Sequence, residues 1–172
     1  MTYRTGLILG LLCGLTAGFV LLALLFKKKV LNMEFDERQE YARGKAFQYG
    51  FFTMLITLYI YGMSELVVGR WCDTLAGISL CTSIGIIVFA ITCILKDAYL
   101  GLREKPRQIM TLFALLALMN LGIGAVYLWS GDLVEDGILT FRAVNPIVGL
   151  MSLVVLIVYI VNFLLRDREE ER

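Results

Sequence analysis

Residues 75–95 read LAGISLCTSIGIIVFAITCIL, a stretch with no charged side chain. An α-helix needs about 20 residues to cross the hydrocarbon core of a bilayer, so this stretch predicts a membrane-spanning helix. Stretches of similar length and apolar character lie at 6–26, 46–68, 109–129 and 146–165. The chain has 172 residues, of which 59% are hydrophobic, and a net charge of +1, which leaves too little polar surface for a soluble globule. We therefore predict an all-α fold, a single integral membrane domain over residues 1–172 with five transmembrane helices.

Lys and Arg are unevenly distributed among the segments that join these spans. Nearly all of the 16 cations lie in the loops 27–45 and 96–108 or after residue 165; the exceptions are Arg4, Arg70 and Arg142. Cationic loops stay on the cytoplasmic side when a membrane protein inserts. The pattern predicts a multi-pass protein of the cell membrane, with its N-terminus outside, both cation-rich loops in the cytosol and its C-terminus cytoplasmic.

Glycine recurs at every fourth position of the first span, at Gly6, Gly10, Gly14 and Gly18. Such a glycine zipper leaves a groove along one helix face, where another helix backbone can approach closely. The groove predicts helix packing, either with a second copy or a membrane partner, or with another helix of the same chain. We expect this span to be retained rather than cleaved, because its apolar run is longer than that of a leader peptide.

The spans contain few polar side chains that could carry chemistry. The chain has no histidine, which excludes a histidine proton relay, a histidine-ligated metal and a Ser-His-Asp triad. Its four cysteines form no C-x-x-C pair. We therefore assign no catalytic residue, no cofactor and no metal site. Thr57 and Asn120 lie near the centres of their spans and are candidates for a polar core, and we expect Asn120 to bond to a neighbouring helix.

The first cation-rich loop contains acidic residues where a helix N-terminus favours them, which predicts a helix that begins near Asp36 and continues into the second span. Arg43 and Lys45 would then lie at the level of anionic lipid headgroups. In the second loop, Asp97 is a candidate ion-pair partner for Arg43 or Lys45, and Pro106 suits the first turn of the next helix. The candidate cytosolic contact residues are Asp36, Arg38, Arg43, Lys45, Asp97 and Tyr99.

The loop 130–145, on the predicted outer side, contains enough apolar residues for a short helix at the membrane interface. The plainer interpretation is a connector whose apolar residues rest on the membrane, and a peptide-binding lip is the alternative.

Two short segments resemble those of a known group of proteins. Residues 36–39 read DERQ and are followed by RGKAF at 43–47, while residues 96–99 read KDAY. These segments resemble stretches of small, uncharacterised multi-span membrane proteins of Gram-positive bacteria. Such proteins are often encoded beside helix-turn-helix regulators, so the resemblance implies a regulatory or immunity role. It brings no catalytic residue with it.

These observations predict a non-enzymatic membrane protein that acts through helix packing and cytosolic-loop contacts. Its predicted partners are the bilayer, anionic lipid headgroups and a cytosolic protein, with no direct nucleic-acid contact. The alternative function is a small homo-oligomeric channel or facilitator with Thr57 and Asn120 on its polar path.

Overall fold

The computed structural model describes residues 34–101 and 106–170, together with Cys13, Thr16, Phe19 and Val20; of residues 167–170 it describes the backbone. The chain divides into two units, Met1–Glu34 and Phe35–Arg172. In the first unit Cys13, Thr16, Phe19 and Val20 are helical, and the Thr16 hydroxyl donates to the Cys13 carbonyl oxygen at 3.0 Å. The glycine zipper of the first span, Gly6, Gly10, Gly14 and Gly18, lies outside the described residues.

The described part of the second unit is helical apart from a short hairpin. It contains four long helices: α1 (Glu37–Val68), α2 (Thr74–Leu95), α3 (Pro106–Ser130) and α4 (Val144–Glu170). Within this part of the chain, all four helices are long and apolar enough to cross a membrane. The predicted all-α class is confirmed.

The helices begin where local side chains satisfy the free backbone N–H groups of the first turn. Asp36 caps α1 in a capping box: the Gln39 N–H donates to the Asp36 carboxylate at 2.6 Å, and the Asp36 N–H donates back to the Gln39 side chain at 3.2 Å. The predicted helix start near Asp36 is therefore confirmed, and α1 continues without a break into the apolar stretch. Asp73 caps α2, and the described part of α3 starts at Pro106.

The four helices of this unit run alternately up and down and pack in the order α1, α2, α4, α3. In this row α2 and α4 are central, while α1 and α3 are on the flanks. The starts of α1 and α3 and the ends of α2 and α4 form one end of the unit, which we call the cation-rich end. The opposite end, with the hairpin, is called the cation-poor end.

Helices α1 and α2 cross at a pair of glycines. A Cβ atom at Gly50 would lie 2.8 Å from the Gly85 carbonyl oxygen, and one at Gly85 would lie 2.8 Å from the Gly50 carbonyl oxygen. Real Cβ atoms do not approach backbone this closely, so both positions require glycine. The two backbones touch here, and close van der Waals contact of this kind is a main source of helix association in lipid.

A β-hairpin joins α3 to α4 at the cation-poor end. Strands β1 (Val134–Glu135) and β2 (Ile138–Leu139) pair antiparallel around Asp136 and Gly137, whose φ angles are 51° and 79°. Positive φ at both central residues is typical of the type I′ turn, which matches the twist of paired strands. The loop 130–145 thus forms a hairpin rather than the short interfacial helix that its apolar residues allow, because the Asp-Gly pair favours a tight turn. A short 3₁₀ helix, Phe141–Ala143, leads into α4.

The hairpin is held against the α1–α2 connection by backbone hydrogen bonds. Leu139 donates to the Trp71 carbonyl oxygen at 2.9 Å and accepts from the Asp73 N–H at 2.7 Å. These bonds place β2 beside Cys72, which is buried in a cluster with Ala76 and Ala143. The cation-poor end is thus a small packed cap rather than a pair of loose loops.

The Cys72 thiol should react slowly with alkylating reagents while this cap is folded. Burial raises the pKa of the Cys72 thiol above its usual range, and the Asp73 and Glu65 carboxylates act in the same direction. At a given pH the reactive thiolate is therefore scarcer in the folded protein than in an unfolded chain. In a variant that keeps Cys72 alone among the cysteines, we expect N-ethylmaleimide to label the native protein roughly tenfold more slowly than the protein unfolded in SDS.

The control for this labelling is a cysteine at the exposed Glu135 of the same cap, introduced with all native cysteines replaced by alanine. It should react quickly in the native protein. Equal rates for Cys72 in the native and unfolded states would contradict the buried position.

Candidate functional site at the cation-rich end

The connection after α2 turns sharply at Asp97. The Ala98 N–H donates to the Cys93 carbonyl oxygen at 2.8 Å, and the Asp97 N–H donates to the Ile94 carbonyl oxygen at 3.2 Å. This pattern is a Schellman motif, whose left-handed position is usually glycine. Here it is Asp97, with φ of 55°. A non-glycine residue in this region costs roughly 1 kcal/mol, so its side chain must have a compensating contact.

That contact is an ion pair with α4. The Asp97 carboxylate accepts from the Arg166 guanidinium; the Asp97 side chain is partly buried and the Arg166 side chain is exposed. The structure therefore corrects the expected partner of Asp97, which is neither Arg43 nor Lys45. The pairing joins the α2–α3 connection to the end of α4.

Arg43 binds the same connection through its backbone. Its guanidinium donates to the Ala98 carbonyl oxygen at 3.0 Å and to the Tyr99 carbonyl oxygen at 3.5 Å. It also lies over the Phe35 ring, 4.1 Å from the centroid, and is 5.8 Å from the centroid of Phe89. A cation held between two rings and two carbonyl oxygens is well satisfied without a carboxylate.

Gln39 adds a second link between α1 and this connection. Its side-chain amide is buried and donates to the carbonyl oxygens of Asp97 at 2.7 Å and Leu100 at 3.4 Å. The same side chain accepts from the Asp36 N–H in the capping box. One glutamine therefore both caps α1 and fixes the α2–α3 connection against it.

Tyr99 lies between α3 and α4. Its ring centroid is 6.2 Å from that of Phe113 and 6.3 Å from that of Tyr159. These rings pack against the buried residues Ile94 and Val155 and form the apolar floor of the site.

A pocket of about 450 Å³ opens above this floor. Its walls come from α1, the α2–α3 connection and the last turns of α4, and it lies within the size range of small-molecule sites. Its polar side includes Arg38, Asp97 and Arg166, and the amide of Asn162 donates to the Ile94 carbonyl oxygen at 3.4 Å. Its apolar side includes Leu100, Pro106, Tyr159 and Phe163.

The structure brings together most of the contact residues predicted from the sequence. Arg38, Asp97 and Tyr99 line the pocket, while Asp36 and Arg43 hold two of its walls in place. Lys45 does not line the pocket. Its ammonium group lies 5.8 Å from the centroid of the Tyr41 ring.

Sequence reasoning missed Gln39, Asn162 and Arg166 as members of this site. Gln39 carries a readable signal, because an Asp followed three positions later by Gln is a capping-box pattern. Asn162 and Arg166 carry none, because they lie more than 60 residues from their partners in the chain.

The two candidate polar-core residues lie on helices that do not pack against each other. The Thr57 hydroxyl bonds back to the Thr53 and Met54 carbonyl oxygens, both at 3.0 Å, and is 3.5 Å from the Cys81 carbonyl oxygen on α2. The Asn120 amide donates to Leu116 of its own helix at 2.8 Å, so the interhelical bond expected for Asn120 is wrong. Within one chain these residues form no common polar path, since α1 and α3 are on opposite flanks of the row.

The residues that the structure describes contain no cluster of three or more Cys, Asp or Glu that could hold a metal ion. Fold and site together define an all-α protein whose described part has four helices able to cross a membrane and a polar pocket at one end of them. Comparison of the chain with protein-family models, curated proteins and solved structures found no match. The resemblance to small Gram-positive membrane proteins stays a prediction.

Proposed function

We propose that this chain is a five-span protein of the cell membrane, with its N-terminus outside and its cation-rich end in the cytosol. We further propose that it is a non-enzymatic interaction protein, regulatory or immunity-like, whose working surface is the cation-rich end. One observation carries the proposal: at that end, α1, the α2–α3 connection and the end of α4 are joined by hydrogen bonds and an ion pair around one pocket.

The polar contacts of the described residues favour this function over a channel. At the cation-rich end, Gln39, Arg43 and Arg166 each join different elements. The mid-helix Asn120 amide instead bonds back to its own helix, and the two shorter contacts of the Thr57 hydroxyl are also within its own helix. A surface built for recognition needs its side chains and loops held in place, which these links provide.

The orientation can be tested by cysteine accessibility in intact cells. In a cysteine-free background, we expect Glu135→Cys, on the hairpin, to react with a membrane-impermeant maleimide, and Lys45→Cys to react only after the cells are opened. Both positions are exposed, so burial does not explain a difference. Labelling of Lys45→Cys in intact cells would contradict the proposed orientation.

The interaction role is tested by purifying, under native conditions, two variants that each lose the same number of positive charges. One carries Gln in place of Lys45 and Arg107, and the other carries Gln in place of Arg70 and Arg142. We expect a specific co-purifying protein to be lost with the first variant and kept with the second, because the working surface is at the cation-rich end. If both variants keep the proteins captured by the wild type, or if both lose them, the proposal fails.

A further inference from the structure

The pocket at the cation-rich end has an excess of positive charge. Its lining includes two guanidinium groups, from Arg38 on α1 and Arg166 on α4, and one carboxylate, from Asp97. Asp97 pairs with Arg166. Among the residues that the structure describes, the Arg38 guanidinium has no ion-pair or hydrogen-bond partner. One full positive charge therefore faces the pocket without a neutralising group from the described chain.

The remaining lining is amphipathic. Polar donors and the guanidinium groups are opposed by Leu100, Pro106, Tyr159 and Phe163, which present apolar surface to the same space. A ligand that fills it should therefore carry a compact anion at one end and apolar atoms at the other. In a membrane-embedded chain, the ends of the helices lie at the depth of the lipid phosphates.

We infer that this pocket binds a phosphate group, carried either by an anionic phospholipid headgroup or by a soluble phosphate ester. The inference rests on the proposed function, in which the chain is embedded in a membrane. It adds the kind of ligand that the cation-rich end binds. Guanidinium groups suit this ligand because their planar fork can donate two parallel hydrogen bonds to phosphate oxygens. Arg38 supplies the permanent charge, and the apolar wall favours the lipid source.

The Asp97–Arg166 pair then acts as an internal competitor. The Asp97 carboxylate pairs with Arg166, and a bound phosphate competes with it for the same guanidinium. Removing the negative charge of Asp97 should strengthen phosphate binding. A pair with a purely structural role predicts no such gain.

The test measures anisotropy of fluorescently labelled phosphatidylglycerol with the full chain in a neutral detergent. Unlabelled phosphatidylglycerol, phosphatidylcholine and glycerol 3-phosphate are the competitors. We expect phosphatidylglycerol to compete best and added salt to weaken its binding, because the attraction is electrostatic. If glycerol 3-phosphate competes as well as the lipid, the phosphate chemistry stands and the source is soluble.

Three substitutions probe the named residues. Arg38→Gln should weaken phosphatidylglycerol binding roughly tenfold, because a charge-assisted hydrogen bond is lost. Arg166→Gln should weaken it at least as much, since Asp97 is then left unpaired and repels the phosphate. Asp97→Asn should strengthen it several-fold, and Asn tolerates the left-handed backbone at this position.

The matched control is Arg107→Gln, at an exposed arginine of the same end that does not line the pocket. This variant should bind phosphatidylglycerol as tightly as the wild type does. Equal losses for Arg38→Gln and Arg107→Gln, equal competition by phosphatidylglycerol and phosphatidylcholine, or weaker binding by Asp97→Asn would each overturn the inference. Arg38 is exposed, so its variant should fold, which circular dichroism can check. These measurements use the purified chain, so their failure would leave the co-purification result unaffected.

Discussion

Gly50→Leu should lower the free energy of unfolding by about 3 kcal/mol, the upper part of the usual range for overpacking. The added side chain would begin 2.8 Å from the Gly85 carbonyl oxygen and 3.0 Å from the Phe89 Cβ atom, so the α1 and α2 backbones must separate. Separation removes the close contact that associates two helices in lipid. Unfolding of the detergent-solubilised protein by SDS, followed by circular dichroism, measures this loss.

Gly62→Leu is the matched control, because it makes the same substitution in the same helix. A Cβ atom at Gly62 would meet no atom within 4 Å among the residues described, and leucine is a better helix former than glycine. We expect no loss of stability, or a small gain. Similar losses at both positions would mean that helix propensity, and not the crossing with α2, sets the effect.

Arg43→Met should lower the free energy of unfolding by about 2 kcal/mol. Methionine keeps much of the apolar stem but leaves the Ala98 and Tyr99 carbonyl oxygens without their donor and removes the cation above the Phe35 ring. The α2–α3 connection should loosen most, because Arg43 is bonded to its backbone. Hydrogen exchange of residues 97–101 should rise in the variant, alongside the loss measured in the SDS titration.

Lys45→Met, two residues further along α1, controls for the loss of a cation at the same end. Lys45 is exposed, and its ammonium group lies 5.8 Å from the Tyr41 ring centroid. A cation–π contact at an exposed site contributes little stability. Its unfolding free energy should stay within about 0.5 kcal/mol of the wild type, as for most surface substitutions. If the two variants lose the same stability, general charge rather than the Arg43 contacts explains the effect.

The starts of the helices could be read from short patterns. Asp36 and Gln39 are three residues apart, and such a capping box acts within one turn of helix, so the start of α1 was predictable. Pro106, where the described part of α3 starts, suits a first helical turn for the same local reason. The hairpin at Asp136 and Gly137 also has a local signal, the Asp-Gly pair, but the apolar residues around it fit a helix face as well as paired strands.

The partners of individual side chains could not be read in this way. Asp97 was expected to pair with Arg43 or Lys45, but the position of α4 beside α2 brings Arg166 closer. Asn120 was expected to bond across helices, yet it bonds one turn back along α3. In both cases several residues could serve as the hydrogen-bond or ion-pair partner. The order in which the helices pack determines which of them is within reach.

The sequence by itself determined the helical class, the apolar stretches and the concentration of charge at one end, because length, hydropathy and net charge are properties of each segment alone. Only the tertiary structure decided that α2 and α4 are central, that Gly50 meets Gly85, and that Arg38, Asp97 and Arg166 share a pocket. The physical reason is that packing in a helical bundle depends on which faces meet. In nearly uniform apolar helices, hydrophobic periodicity carries little information about those faces.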